Sequence, residues 1–362
     1  MCSLRLKPGI SDISPYLGGE SGITGTNRII KLSSNESALG PSPKAVAAME
    51  AASSDAFRYP DGSCVELRTA LGKEHNLNPA QIVCGAGSDE IFSFLSRAYA
   101  GLGDEVIYNE HGFLMFPIVT RLVGAAPVKV PEKNLRADVD AFLEAVTDKT
   151  KILFLANPNN PTGSYLPVSE LKRLRAGLPD HVLLVLDGAY AEFVTAADYS
   201  SGVELVDAGD NVVMTRTFSK IYGLGGVRLG WSYNPPEIAD VLNRIRNPFN
   251  VSAVAQAAGL AALDDKDFIA QALNNNETLR AWTAAQLNNL GITVPPSVGN
   301  FILARFPLEE VRNAEAADTF LKSKGIIVRR MGGYGLPDSI RISIGTQEEM
   351  TMLVGALSQF MD

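Results

Sequence analysis

Cysteine and histidine are both scarce in this 362-residue chain, with three of each. Cys2, Cys64 and Cys84 are odd in number and show no paired spacing, which argues against a disulfide framework and fits a reducing compartment. His75, His111 and His181 never fall at ligand spacing from one another or from a cysteine, so no metal site is expected. Long apolar runs are missing too, and none could span a bilayer. The opening Met-Cys-Ser-Leu-Arg-Leu-Lys-Pro-Gly carries charge and proline where a secretory signal needs an unbroken apolar stretch. A cytoplasmic protein with no membrane partner is expected. Positive charge is in deficit, 32 Lys and Arg against 40 Asp and Glu, for a net charge of −8. Nucleic-acid binding needs clustered basic side chains, so that partner class is set aside. A small anionic substrate gripped by a few local arginines remains open.

The chain is long enough for two domains. Residues 1–42 are rich in Gly, Ser and Pro, and Ile13, Tyr16, Leu17, Ile29, Ile30 and Leu32 suggest an arm packed against something. A helix starts at Pro43, with Ser42 as its cap, and another follows Asp61. Strands and helices then alternate. Strands are predicted over 81–84, 105–108, 127–130, 151–156, 182–187, 211–215 and 228–233, and helices over 89–100 and 114–123. The runs 151–156 and 182–187 are almost continuously apolar, as suits strands covered on both faces. This alternation predicts an α/β fold, a large domain with a mainly parallel central sheet between helices. Helical patterns fill 236–246 and 252–290. A smaller α+β domain follows, with strands over 300–305, 325–329 and 339–343 and helices over 308–324 and from 348. The expected division is an arm at 1–42, a large domain at 43–248 and a small domain at 249–362.

In a parallel α/β sheet, function gathers at the carboxyl ends of the strands, and four segments fall there. Gly85-Ala-Gly-Ser-Asp-Glu90 joins a strand to a helix. Its N–H groups and Ser88 suit an anion, although Ser88 or Asp89 as a plain cap suits it equally. It lacks the third glycine of a dinucleotide fingerprint, which sets aside a nicotinamide dehydrogenase. Asn157-Pro-Asn-Asn-Pro-Thr-Gly163 reads as a rigid, exposed turn that either presents the Asn160 amide or binds nothing. Asp187-Gly-Ala-Tyr190 ends a buried strand, where a carboxylate is costly unless paired. Asp187 is therefore either a cap or the partner of a cation such as a protonated pyridine. Arg216-Thr-Phe-Ser-Lys-Ile-Tyr-Gly-Leu-Gly-Gly-Val-Arg228 sets a lysine between hydroxyls and glycines, with an arginine eight positions on. An amine for a Schiff base and a cation for a phosphate are what pyridoxal 5'-phosphate (PLP) requires.

Taken in order, Gly-Ser-Asp-Glu, Asn-Asn-Pro-Thr-Gly, Asp-x-Ala-Tyr and Ser-Lys-x8-Arg resemble the class I/II aminotransferases of PLP fold type I. Leu32-Ser-Ser-Asn-Glu36, Arg58-Tyr-Pro-Asp-Gly62 and Ile340-Arg-Ile-Ser-Ile-Gly-Thr346 extend the resemblance nearly end to end. Within that family the pattern is most similar to the histidinol-phosphate branch. The resemblance implies PLP as cofactor, joined to Lys220, with Asp187 on the ring nitrogen and Asn160 and Tyr190 on the phenolate oxygen. It implies Gly87, Ser88, Asp89, Thr217, Ser219 and Arg228 around the cofactor phosphate, with Tyr59 arriving from a second subunit of a homodimer. Phe113 occupies the ring-stacking position, where many relatives carry Tyr. Tyr16, Asn160, Arg329 and Arg341 fall where the family binds substrate, an arginine fork suiting carboxylate and phosphate alike. Only one of Arg329 and Arg330 is expected to face inward. The implied reaction is ping-pong amino transfer between histidinol phosphate and 2-oxoglutarate, with Lys220, Asp187 and Tyr190 as the catalytic groups. Arg228 is expected to lower the Lys220 pKa. An aromatic amino-acid aminotransferase and a decarboxylase of an amino-acid phosphate remain alternatives.

Overall fold

The computed structural model describes residues 4–23, 28–309 and 311–362; residues 1–3 and 24–27 of the expected arm lie outside them. Two strands organise the larger part of the molecule. Thr150–Ala156 and Leu183–Asp187 pair in parallel, from Ile152 opposite Leu183 to Ala156 opposite Asp187. Successive side chains leave opposite faces of a strand. Leu153, Leu155, Leu184 and Leu186 enter one core, while Ile152, Phe154, Leu183 and Val185 enter another. A strand apolar on both faces needs helices on both sides, and the sequence supplies them. Ser88–Tyr99, Met115–Leu122 and Pro236–Ile245 cover the second core. Val65–His75, Val139–Ala145, Val168–Gly177 and Val203–Ala208 cover the first.

The sheet has seven strands in the order Ile82–Gly85, Gly230–Tyr233, Val212–Thr217, Leu183–Asp187, Thr150–Ala156, Glu105–Asn109 and Ala126–Val130. Gly230–Tyr233 runs antiparallel to both neighbours, and every other pairing is parallel. The carboxyl ends at Gly85, Asn109, Ala156, Asp187 and Thr217 therefore share one edge, and the antiparallel strand begins there.

A third core lies around the antiparallel sheet of Phe301–Arg305, Ser339–Ser343 and Arg329–Arg330, with Ser339–Ser343 in the middle. Ile30–Lys31 pairs in parallel with Ile326–Ile327, which draws Ile30 and Leu32 into this core. Of the arm's other apolar residues, Leu17 and Ile29 are exposed rather than packed, while Tyr16, partly exposed, lies edge-on to Phe113.

Three expected elements differ. The pattern over 252–290 is two helices, Ala253–Asp264 and Lys266–Asn289, because the backbone leaves helical geometry at Asp265. Asp265 is buried and faces Lys44 at 3.5 Å. Val251, Ala255, Ala258 and Ala262 enter the first core, so this helix packs on Pro43–Ser53. The helix expected from 308 starts at Ala314, where the Asn313 carboxamide oxygen accepts from the N–H groups of Glu315 and Ala316. The run 325–329 divides between two sheets, Ile326–Ile327 joining the arm and Arg329–Arg330 joining Ser339–Ser343.

Phe154 is fully buried, stacked on Phe116 at 4.8 Å and edge-on to Phe92 at 5.6 Å. Phe154→Ala is expected to cost about 3–5 kcal/mol, read as a lower denaturation midpoint with helical content retained.

Candidate active site

At the shared carboxyl edge lies a cavity of about 290 Å³, bounded on its other side by the second sheet and the arm. Tyr16, Ser88, Asp89, Phe113, Asn160, Asp187, Tyr190, Thr217, Ser219, Lys220, Arg228, Arg329 and Arg341 all line it. These residues come from segments as far apart as the arm and the last strand, so only the fold brings them together.

Asp187 is the last residue of its strand and is buried. Its Oδ1 accepts from Thr215 Oγ1 at 3.1 Å and from the Ala189 N–H at 3.2 Å. Burial pushes its pKa up to about 7, and Asp89 adds to that, while the Thr215 and Ala189 donors and Lys220 oppose it. Lys220, half-buried, moves the other way. Burial and then the Arg341 charge lower its pKa to about 8. Arg228, expected from the sequence to exert that like-charge effect, is not its source. In the structure the Arg228 guanidinium turns instead to the Gly225 carbonyl at 2.8 Å and to Asp89 at 3.4 Å. Lys220 Nζ sits 5.7 Å from the centroid of the Tyr190 ring.

The Gly85–Ser88 segment is compact enough for an anion. Gly87 has φ +88°, and a Cβ there would meet Arg228 Nη2 at 2.4 Å. A Cβ on Gly230 would lie 2.3 Å from the Ser88 N–H nitrogen. Both glycines let the start of helix Ser88–Tyr99, Arg228 and the strand edge converge. Thr217 Oγ1 donates to Ser219 Oγ at 3.0 Å and accepts from the Ser219 N–H at 3.1 Å, which closes the lysine loop on itself.

The 157–163 turn is not exposed as expected: all seven residues are buried. Residues from the second half of the chain cover it. The Val298 N–H donates to the Gly163 carbonyl at 3.0 Å, and Ser297 packs against Gly163. The Asn157 side chain bonds both backbone groups of Leu166. Asn160 then accepts from Arg341 Nη1, while Arg341 Nη2 donates to the Ser33 carbonyl at 2.9 Å. Arg341 is buried, and its Nε has no partner among the described residues. Arg329 stands directly opposite Arg341 across the strands. Like charges in that relation are unfavourable unless an anion or other acceptor joins them. Arg329 gives Nη2 to the Leu17 carbonyl at 2.8 Å and lies 5.8 Å from the Tyr16 ring centroid. Arg330 points away and pairs with Glu315 at 2.8 Å. Phe113 is edge-on to Tyr16 and Phe116.

Tyr59 stands apart from the cavity of its own chain. It is 83% exposed and stacks on Phe249 at 4.7 Å. Sequence reasoning missed Asn35, Ser34 and Thr215. Asn35 and Ser34 line the cavity, and Thr215 touches Asp187 from the neighbouring strand. Asn35 lies in a segment that carried the family resemblance, yet its partner Tyr190 is 155 residues away, and no local signal announces that bond.

With this geometry in place, likeness to known proteins is informative. The family described as aminotransferase class I and II matches residues 27–357. The chain belongs to this family. It is 60% identical over 354 residues to the histidinol-phosphate aminotransferase of Paramagnetospirillum magneticum, covering 98% of each chain. It is 56% identical over 355 residues to that of Rhodospirillum rubrum, covering 98% of this chain and 96% of the relative. The crystal structure of the Sinorhizobium meliloti histidinol-phosphate aminotransferase in complex with pyridoxal-5'-phosphate superposes with a TM-score of 0.87 at 32% identity, over 92% of this chain and 91% of that one.

In this aminotransferase without added ligand, the Asp187 carboxyl has a sign-specific effect on stability. Below the ordinary carboxylate value of 3.8 it is protonated in both folded and unfolded states. Between there and about 7 only the unfolded chain has released the proton, so stability falls as pH rises, then levels off. Asp187→Asn removes this loss. The variant's unfolding free energy, from denaturant titration at each pH, is expected to match the parent's near pH 4 and to exceed it increasingly up to about pH 7, by a few kcal/mol at most.

Proposed function

We propose that this aminotransferase moves an amino group between histidinol phosphate and 2-oxoglutarate, using pyridoxal 5'-phosphate bound in the cavity described above. The observation that carries the reading is the meeting of a lysine with a lowered pKa, a buried carboxyl and two facing arginines in one cavity. The names of the relatives point to the same substrate.

The residues present fit the cofactor. Lys220 would hold its aldehyde carbon. Asp187 has Oδ1 already occupied by two donors, and a ring N–H would supply the cation that its burial otherwise lacks. Ser88, Ser219 and Arg228, with Gly87, Asp89 and Thr217 shaping the loops, would hold the phosphate. Asn160 and Tyr190 would hold the phenolate oxygen, and Phe113 would cover the ring. When bound, the cofactor supplies an electrophilic carbon and a protonated ring that acts as an electron sink. Once free, Lys220 is the base that takes the proton from the amine-bearing carbon of the substrate. A pKa near 8 leaves part of it unprotonated close to neutrality. Asp187, held by Thr215 and the Ala189 N–H, keeps its charge on the cofactor side of the cavity. Arg341 and Arg329 bind the phosphate of one substrate and the carboxylates of the other, and Tyr16 closes over them. One fork serves both anions because guanidinium presents paired donors to either.

The reading includes a homodimer in which Tyr59 of each chain reaches the cavity of the other, and a domain division that falls beyond 248/249. The exposed Phe57, and the exposed Tyr59 stacked on Phe249, support the dimer. The clustering of Ala255, Ala258 and Ala272 with the first core supports the later division.

Purified protein is expected to transfer amino groups from histidinol phosphate to 2-oxoglutarate faster than from phenylalanine, tyrosine or aspartate, and Lys220→Ala is expected to abolish transfer while the fold survives. A Lys220→Ala variant as fast as the parent, or released CO2 as the main product, overturns the assignment. Sedimentation is expected to give a dimer, and a fully active monomer contradicts the role of Tyr59.

A further inference from the structure

We propose that Asn35 and Ser343 form a positioning pair that fixes the direction in which the Tyr190 hydroxyl gives its proton, so that it points into the cavity. The proposal rests on the cofactor reading above and goes beyond it, since that reading gives neither residue a role.

The polarity of each bond follows from its neighbour. The Asn35 backbone N–H donates to Ser343 Oγ at 2.7 Å. Ser343 therefore accepts there, and its own proton goes to Asn35 Oδ1 at 3.1 Å. With the carboxamide oxygen taken, the amide nitrogen faces the other way, and Nδ2 donates to the Tyr190 hydroxyl at 2.9 Å. A flipped amide would make Ser343 Oγ accept twice and leave its proton without an acceptor. The Tyr190 oxygen accepts from Asn35, so the phenol proton must be given elsewhere, and Tyr190 lines the cavity. Asn35, Ser343 and Tyr190 are 1%, 3% and 4% exposed, so water does not compete for these bonds. Asn35 itself sits at φ 53°, a left-handed conformation that asparagine tolerates better than most residues. The Asn300 side chain holds the Asn35 carbonyl at 3.0 Å. The arm and the second sheet thus set a proton direction on the first sheet's side of the cavity.

The groups that act on the Tyr190 hydroxyl are Arg341 from the second sheet, Asp187 from its own strand end, Asp89 from the helix start, Lys220 beneath its ring and Tyr334 from the second sheet's flank. The test must separate the Asn35 bond from this field. Asn35→Asp keeps shape and backbone preference but replaces the donor with an acceptor, which draws the phenol proton away from the cavity.

The measurement is the pH midpoint at which the visible absorption of bound pyridoxal 5'-phosphate changes, in the reconstituted full chain. A hydrogen bond from Tyr190 to the phenolate oxygen stabilises the deprotonated form, so losing it raises the midpoint. Asn35→Asp is expected to raise it by about one pH unit, the scale of one lost hydrogen bond to a charged group, and to add no further rise in a Tyr190→Phe background. Ser343→Ala, which frees the amide to flip, is expected to shift the midpoint in the same direction by less, and Ser343→Thr to restore it. Equal shifts with and without the Tyr190 hydroxyl, or an unmoved midpoint in Asn35→Asp or in Ser343→Ala, overturn the proposal alone. Failure of the parent to take up the cofactor overturns the cofactor reading and the proposal with it.

Discussion

Burial of opposite charges in one small cavity is the constraint on which the rest of this structure turns. Asp187 stands where two strands covered on both faces come to an end, and the surroundings that give those strands their stability deny the carboxylate its water. Lys220 enters the same space from the loop after the next strand. Desolvation pushes the acid up and the base down until both titrate near neutrality, about 7 and about 8. A group poised in that range can exchange protons at little cost. Stability and chemistry therefore pull against each other at one residue, and the two donors on Asp187 Oδ1 offset only part of the penalty.

Arg341 closes the cavity from the opposite side, and it is a tether as well as a charge. One nitrogen bonds the Asn160 carboxamide in the turn after a large-sheet strand, and another bonds a carbonyl in the arm. Three separate parts of the chain meet on one guanidinium. Arg329, opposite it across the strands, gives its own donor to the Leu17 carbonyl. Both cations are thus held by neutral oxygens, and the Arg341 Nε is unpartnered among the described residues. An anion arriving there meets positive charge that no carboxylate among the described residues has neutralised.

Much of this was legible along the chain, for identifiable reasons. The strands 150–156 and 183–187 announce themselves because burial on both faces demands an unbroken apolar run. The lysine loop announces itself because small residues are needed wherever backbone approaches a ligand closely. Ser42 marks a helix start because N-terminal N–H groups need acceptors. Other features had no local signature. The break at Asp265 lies in an alanine-rich run that would continue as helix if propensity decided. The division of 325–329 between two sheets depends on which partner strand each half meets. The burial of the 157–163 turn depends on Ser297 and Val298 arriving over it, and a turn rich in proline and asparagine reads as exposed until they do.

Which residue types the site contains was determined by the sequence alone: the amine, the carboxylate, the hydroxyls beside glycines and the arginines are covalent facts in a recognisable order. Which of them share a bond, and in which direction, was decided only by the tertiary structure. Asn35 meets Tyr190 and Ser343 across 155 and 308 residues, Arg341 rather than Arg228 acts on Lys220, and Arg329 rather than Arg330 faces the cavity. Electrostatic strength and hydrogen-bond polarity fall off over a few ångströms of space, and separation along the chain carries no information about that distance.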